Sequence, residues 1–142
     1  MNSKMQMRTL SVLVKPQDYI GNITYSRIPY YNARADEMRM KSRPVLIIGA
    51  EKETFPCDFN VLPVSRITNE DNVNELYDFK LDKNQCQAMN LKKWPSFIRV
   101  HKQSTCYSAD IDRRVCCDMS KNHKDLYNEI VDLFNKYNET LF

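Results

Sequence analysis

Glycine occurs only twice in the 142 residues, at Gly21 and Gly49, and that scarcity removes whole families of fold. A backbone that cradles a phosphate, or turns sharply from strand to helix beneath a dinucleotide, needs several residues without a Cβ. Phosphate-binding loops and Rossmann-type sites are therefore excluded. Nucleotide hydrolysis and nicotinamide chemistry go with them.

What remains is a succession of short β-type segments followed by one helical stripe. From Ile20 to Tyr30 the pattern is strand-like, and Pro44-Val45-Leu46-Ile47-Ile48-Gly49 is a short continuous apolar run rich in β-branched residues. Such a run reads as a strand buried on both faces, with Pro44 at its first position and Gly49 as its stop. Phe59 to Arg66 forms another strand, with Leu62 and Val64 facing one way and Val61, Pro63 and Ser65 the other. Tyr77, Phe79 and Leu81 alternate with Asp78 and Lys80 as a half-buried strand. A short helical turn is expected near Gln85 to Asn90. Phe97 to Tyr107 reads as the longest strand, carrying Arg99, His101 and Gln103 in one row opposite Ile98 and Val100. Between these segments, the polar stretch Tyr31 to Ser42 has no apolar period and is expected to be a long functional loop.

From Ser120 to about Tyr137 the pattern becomes helical. Leu126, Ile130, Phe134, Tyr137 and Leu141 recur at three and four, Tyr127 and Val131 widen the stripe, and Ser120 is placed to cap it. The fold class is α+β, mostly β: a small, partly open barrel closed by a C-terminal amphipathic helix. The length fits one domain. Residues 1–17 read as a leader without periodicity, ended by Pro16, and residues 18–142 as the domain. No run of roughly 18 apolar residues suggests a membrane span, and no apolar stretch with a cleavage site suggests export. The expected location is cytoplasmic. Cys57, Cys86, Cys106, Cys116 and Cys117 are odd in number and lack paired metal-ligand spacing, so they are expected to be reduced packing residues. No metal and no cofactor is indicated.

The formal charge is +3. Acids crowd Glu70 to Asp82, whereas Lys92, Lys93, Arg99, Lys102, Arg113 and Arg114 follow with few acids between them. A basic side that attracts nucleic acid is compatible with this, as is a surface of mixed charge. The candidate chemistry lies at Arg43 before the buried strand, Ser65 at the end of its neighbour, and the Arg99/His101/Gln103 row. A guanidinium and a hydroxyl beside an imidazole suit a phosphodiester. On the residues alone the set also reads as ordinary polar strand ends, the commoner case.

Arg43-Pro44-Val45-Leu46-Ile47-Ile48, followed by Asn60-Val61-Leu62-Pro63-Val64-Ser65, resembles the PemK/MazF toxin pattern of an R-P-hydrophobic strand and a strand ending P-[IV]-[TS]. Ile20-Gly21-Asn22-Ile23-Thr24-Tyr25 is similar to that family's opening strand, Phe97 to Gln103 to its late strand, and Ser120 to Phe142 to its terminal helix. The resemblance implies an SH3-like barrel of the CcdB/PemK type. It further implies a metal-independent endoribonuclease of a toxin–antitoxin system, acting on single-stranded mRNA by attack of the ribose 2′-hydroxyl. Arg43 then stands at the catalytic arginine and Ser65 at its partner threonine, keeping the hydroxyl. His101, with an ordinary pKa near ~6.5, is the candidate base on its imidazole alone. Arg99, Lys102, Gln103, Arg34, Arg39 and Lys41 are the expected RNA backbone contacts, with Tyr30, Tyr31 or Trp94 available to bases. A homodimer and a cognate antitoxin protein are implied as partners. A related barrel, the CcdB toxin that binds gyrase through its terminal helix, is the alternative, as is an inactive RNA- or protein-binding barrel.

Overall fold

The computed structural model describes residues 13–142. The chain is α+β and mostly β: a curled, open antiparallel sheet with a C-terminal helix across one face. Seven strands take part: β1 (Asn22–Asn32), β2 (Glu37–Ala50), β3 (Asp58–Arg66), β4 (Asp78–Leu81), β5 (Ser96–Arg99), β6 (Ser104–Tyr107) and β7 (Cys117–Asp118). The order across the sheet is β4-β5-β3-β2-β1-β7, with β6 also on β3. Helices α1 (Lys83–Ala88), α2 (Met119–Asn122) and α3 (Lys124–Asn138) complete the fold. The leader read over residues 1–17 lies mostly outside the described residues. At the start of the domain Pro16–Tyr19 is a 3-10 turn, and Tyr19 is fully buried with its hydroxyl donating to the Arg113 carbonyl at 3.0 Å.

The β-branched run is buried on both faces, as its pattern predicts. Leu46 joins a cluster with Ile23, Leu62, Val64, Ile98 and Ile130. Val45 and Ile47 join a second cluster, on the other face, with Tyr19, Phe59 and Val61. The same division separates Leu62 and Val64 from Val61 on β3, because successive strand side chains alternate. Pro44 and Gly49, however, do not bound the strand. Pro44 lies in mid-strand opposite Tyr25, and the strand continues past Gly49 to Ala50. A shift of register between Ile47 and Gly49 marks a bulge there, which is where a strand tolerates glycine.

Three further expectations are corrected. Tyr31 to Ser42 is not a loop: β1 and β2 stay paired from Ile23↔Leu46 out to Asn32↔Glu37, forming a two-stranded arm that turns at residues 33–36. It lacks an apolar period because most of its side chains meet solvent on both faces. Phe97 to Tyr107 is not one strand. Ile98 pairs with Val64 and Ser104 with Val61. Six positions on one side therefore answer three on the other, and residues 100–103 loop out. Finally, Asp118 rather than Ser120 caps the terminal helix, its carboxylate accepting from the Lys121 N–H, and the helix breaks at His123 before α3 begins. The apolar stripe of α3 packs through Ile130, fully buried, with Leu126, Tyr127, Phe134 and Tyr137 against the same cluster, whereas Val131 and Leu141 are exposed. The turn of helix expected near Gln85 is α1, closed by a capping box between Asp82 and Gln85.

Candidate functional site

A hollow forms where β3 changes partners. β2 and β3 are paired only from Ala50↔Phe59 to Val45↔Pro63. Beyond that point β2 runs outward with β1, whereas β3 turns to pair with β5 at Val64, Ser65 and Arg66. The two strands splay, and the fork between them is a cleft of about 770 Å³. One wall is Tyr25 with Lys41, Ser42, Arg43 and Pro44; the other is Val64, Arg66, Thr68 and Ser96, with Leu91, Lys92 and Lys93 beside them. Among the described residues, five cationic side chains therefore meet one carboxylate, that of Asp112. Burial pushes the Tyr25 phenol above its ordinary pKa, with a contribution from the Cys116 thiol nearby, and the Lys92 ammonium lies 5.6 Å from the Tyr25 ring. A concave wall of this charge attracts an anion, because field lines concentrate in a cleft with low-dielectric walls.

Arg43 lines this cleft and is half-buried. Ser65 is half-buried on β3 between two lining residues, Val64 and Arg66, and pairs with Phe97. It is not itself a lining residue, since alternation turns its side chain to the other face of the strand from theirs. Lys41 also lines the cleft, and its ammonium sits 4.6 Å from the centre of the Tyr30 ring. One face of that ring is thus already covered by a cation. Farther out on the arm, Arg39 is exposed and bonded to Glu37 at 2.7 Å, and Arg34 is exposed at the tip. The Tyr31 hydroxyl donates to Asp36. Trp94 is half-buried against the core, with the Lys83 ammonium 5.8 Å from its ring.

The expected row of Arg99, His101 and Gln103 does not exist as a strand face, because the looped-out residues interrupt it. Arg99 instead holds Asp78, whose side chain is entirely buried: Nε donates to Oδ1 at 3.0 Å and an Nη to Oδ2 at 3.3 Å. The Asn74 N–H donates to the same carboxylate at 2.7 Å. His101 lies at the opposite end of β5 from the Ser96 that lines the cleft. It packs between Tyr77 and Tyr137, and its Nδ1 has no hydrogen-bond partner among the described residues and sits 3.8 Å from Asp78. Desolvation holds its pKa below the ordinary value, against the pull of Asp78. Lys102 and Gln103 are exposed in the loop.

Arg43 and Lys41 are thus brought to one cleft, and Arg99 and His101 to a different place. Sequence reading did not assign Arg66, Thr68 or Asp112 to the site, and it noted Lys92 and Lys93 only as part of a basic stretch. These side chains come from separated segments, and no local spacing links them. All five cysteines are unpaired. Among the described residues no cluster of three His, Cys, Asp or Glu is placed to hold a metal ion, and no helix is long and apolar enough to cross a membrane. The chain matches no protein-family model and no curated protein.

Proposed function

We propose that the chain is a PemK/MazF-like endoribonuclease whose substrate strand lies in the fork between β2 and β3. The observation that carries this reading is Arg43 on the wall of a cleft shared with Lys41, Arg66, Lys92 and Lys93. A phosphodiester seated there is held by several cations at once, and a guanidinium can bind two of its oxygens in a bidentate manner. The curled sheet closed by a terminal helix is compatible with the SH3-like barrel that the sequence resembles.

In this reaction the ribose 2′-hydroxyl forms a bond to the adjacent phosphorus, and the P–O5′ bond breaks. A 2′,3′-cyclic phosphate and a 5′-hydroxyl end result. The 2′-hydroxyl gives up a proton and the leaving 5′-oxygen gains one. Arg43 stabilises the charge that builds on the phosphorane and sits beside the leaving oxygen. Its pKa above ~12 makes it a poor acceptor. Asp112, the carboxylate of the cleft, is better placed than His101 to accept the 2′-proton. Ser65 does not line the cleft and takes no part in this step. A second copy of the chain and a cognate antitoxin are the partners this reading implies.

Purified protein, freed of metal by chelation, is expected to cleave single-stranded RNA and leave cyclic-phosphate ends. Arg43→Ala should lower the rate roughly a hundredfold or more, the usual effect of removing one transition-state donor, without changing the melting temperature. Equal cleavage by both proteins would reject the site. Toxicity on expression that persists in Arg43→Ala without RNA cleavage would favour a non-enzymatic toxin.

A further inference from the structure

We infer that the β1–β2 arm is a rail for the sugar-phosphate backbone of a single RNA strand that leaves the fork. This rests on the proposed RNA site and extends it along the arm. The charge argument comes first. Between residues 27 and 43 the arm carries Arg27, Arg34, Arg39, Lys41 and Arg43 against Asp36 and Glu37, a net +3 that equals the formal charge of the whole chain. All other charges in the protein cancel. Both acids of the arm are already engaged within it, Glu37 with Arg39 and Asp36 with the Tyr31 hydroxyl.

Register sorts these groups by face. Residues directly opposite each other in an antiparallel pair point to the same side. Ser26↔Arg43, Ile28↔Lys41 and Tyr30↔Arg39 therefore share one face, and Pro29↔Met40 and Tyr31↔Met38 the other. The first face carries a row of three cations, Arg43, Lys41 and Arg39, at every second position. Two strand residues advance about 6.8 Å, comparable to the contour spacing of phosphates along an extended nucleic-acid strand. The row begins inside the fork, where Arg43 and Lys41 line the wall, and ends in solvent at Arg39. The next position on this face is Glu37, bonded to Arg39, and Arg34 lies beyond it in the turn at the tip. A row that starts in an anion-attracting cleft and runs outward fits one flexible polyanionic strand. The opposite face, with Met38 64% and Tyr31 57% exposed, carries Arg27 as its only cation.

The rail predicts length-dependent affinity. The test measures equilibrium binding of fluorescent 2′-O-methyl oligonucleotides, which lack the attacking hydroxyl and remain intact. A short probe of about 4 nucleotides fills the fork, and a long one of about 12 reaches the arm tip. Wild type should bind the long probe at least tenfold more tightly. Arg39→Ala combined with Arg34→Ala should remove most of that difference and leave the short probe unchanged. The salt dependence for the long probe should fall by about 0.7 in logarithmic slope for each cation removed. A length advantage that survives in the double variant, or a loss shared equally by both probes, overturns the rail. So does a long probe that binds no better than the short one. Because nothing is cleaved, failure of the catalytic reading would show separately, as wild-type binding without cleavage of unmodified RNA.

Discussion

Arg99 offers the sharpest separation between a surface reading and the role seen in the fold. The Asp78 side chain is fully buried and is held by two guanidinium nitrogens and one backbone N–H. Arg99→Ala leaves that carboxylate with the Asn74 N–H alone, and with a His101 nitrogen at 3.8 Å that is not a hydrogen-bond partner. Removing one partner of a buried ion pair typically costs about 3–5 kcal/mol. The Arg99 side chain is 24% exposed, so solvent screens part of the interaction, and about 2–3 kcal/mol is the reasonable expectation. For a domain of this size that corresponds to roughly 8 °C in melting temperature. Calorimetry or thermal circular dichroism of Arg99→Ala reads it directly. Adding Asp78→Asn in the same chain should restore a good part of the loss, because the residual cost is an unpaired charge, and a double-mutant cycle isolates that coupling. A shift below about 2 °C, or a cycle without coupling, would refute the view of Arg99 as a structural clamp and return it to the surface contacts expected from sequence.

Other outcomes follow from the same coordinates. His101 is held below its ordinary pKa by desolvation. The unfolded chain therefore binds a proton more readily, and the stability His101 contributes is present above about pH 6.5 and lost as pH falls below it. His101→Gln should flatten the dependence of the urea midpoint between pH 7.5 and 5.5, and an unchanged slope would count against it. Gly21 has φ +89°, and a Cβ there would meet the Ser120 Cβ at 2.6 Å. Gly21→Ala should destabilise the protein by about 3 kcal/mol, since an unfavourable φ costs about 1–3 and the clash adds to it. A urea titration showing less than about 1 kcal/mol would contradict the geometry. The thiols of Cys116 and Cys117 are pushed up to about 11 and about 12 by burial and by neighbouring acidic groups. At pH 8 both should react with an alkylating reagent far more slowly in the native protein than in urea; equal rates would show that they are accessible thiolates.

The elements that were legible in the sequence are those whose signal is local. Val45 to Ile47 announces a doubly buried strand by its unbroken apolar run, and α3 announces its buried face by the three–four recurrence through Ile130. The short helix was legible near Gln85, but its start at Lys83 and its capping box from Asp82 to Gln85 were not read. The arm, by contrast, hid because a strand exposed on both faces shows no apolar period, so Tyr31 to Ser42 reads as a loop. The break after Arg99 hid for a related reason. Arg99, His101 and Gln103 alternate just as a solvated strand face does, and nothing nearby records that Val61 pairs with Ser104 rather than three residues earlier.

The cleft is the clearest case of a feature that tertiary structure alone decided. The sequence determined that the chain carries Arg43 beside a buried strand, few glycines and a single amphipathic helix. The gathering of Lys41, Arg43, Arg66, Lys92, Lys93 and Asp112 around one space depends on β3 leaving β2 after Pro63 to pair with β5. Strand pairing is a contact between distant segments, chosen by the packing of the whole sheet, and no period along the chain encodes it. The same pairing drew Arg99 inward to Asp78 and carried His101 to the far end of β5, away from Arg43.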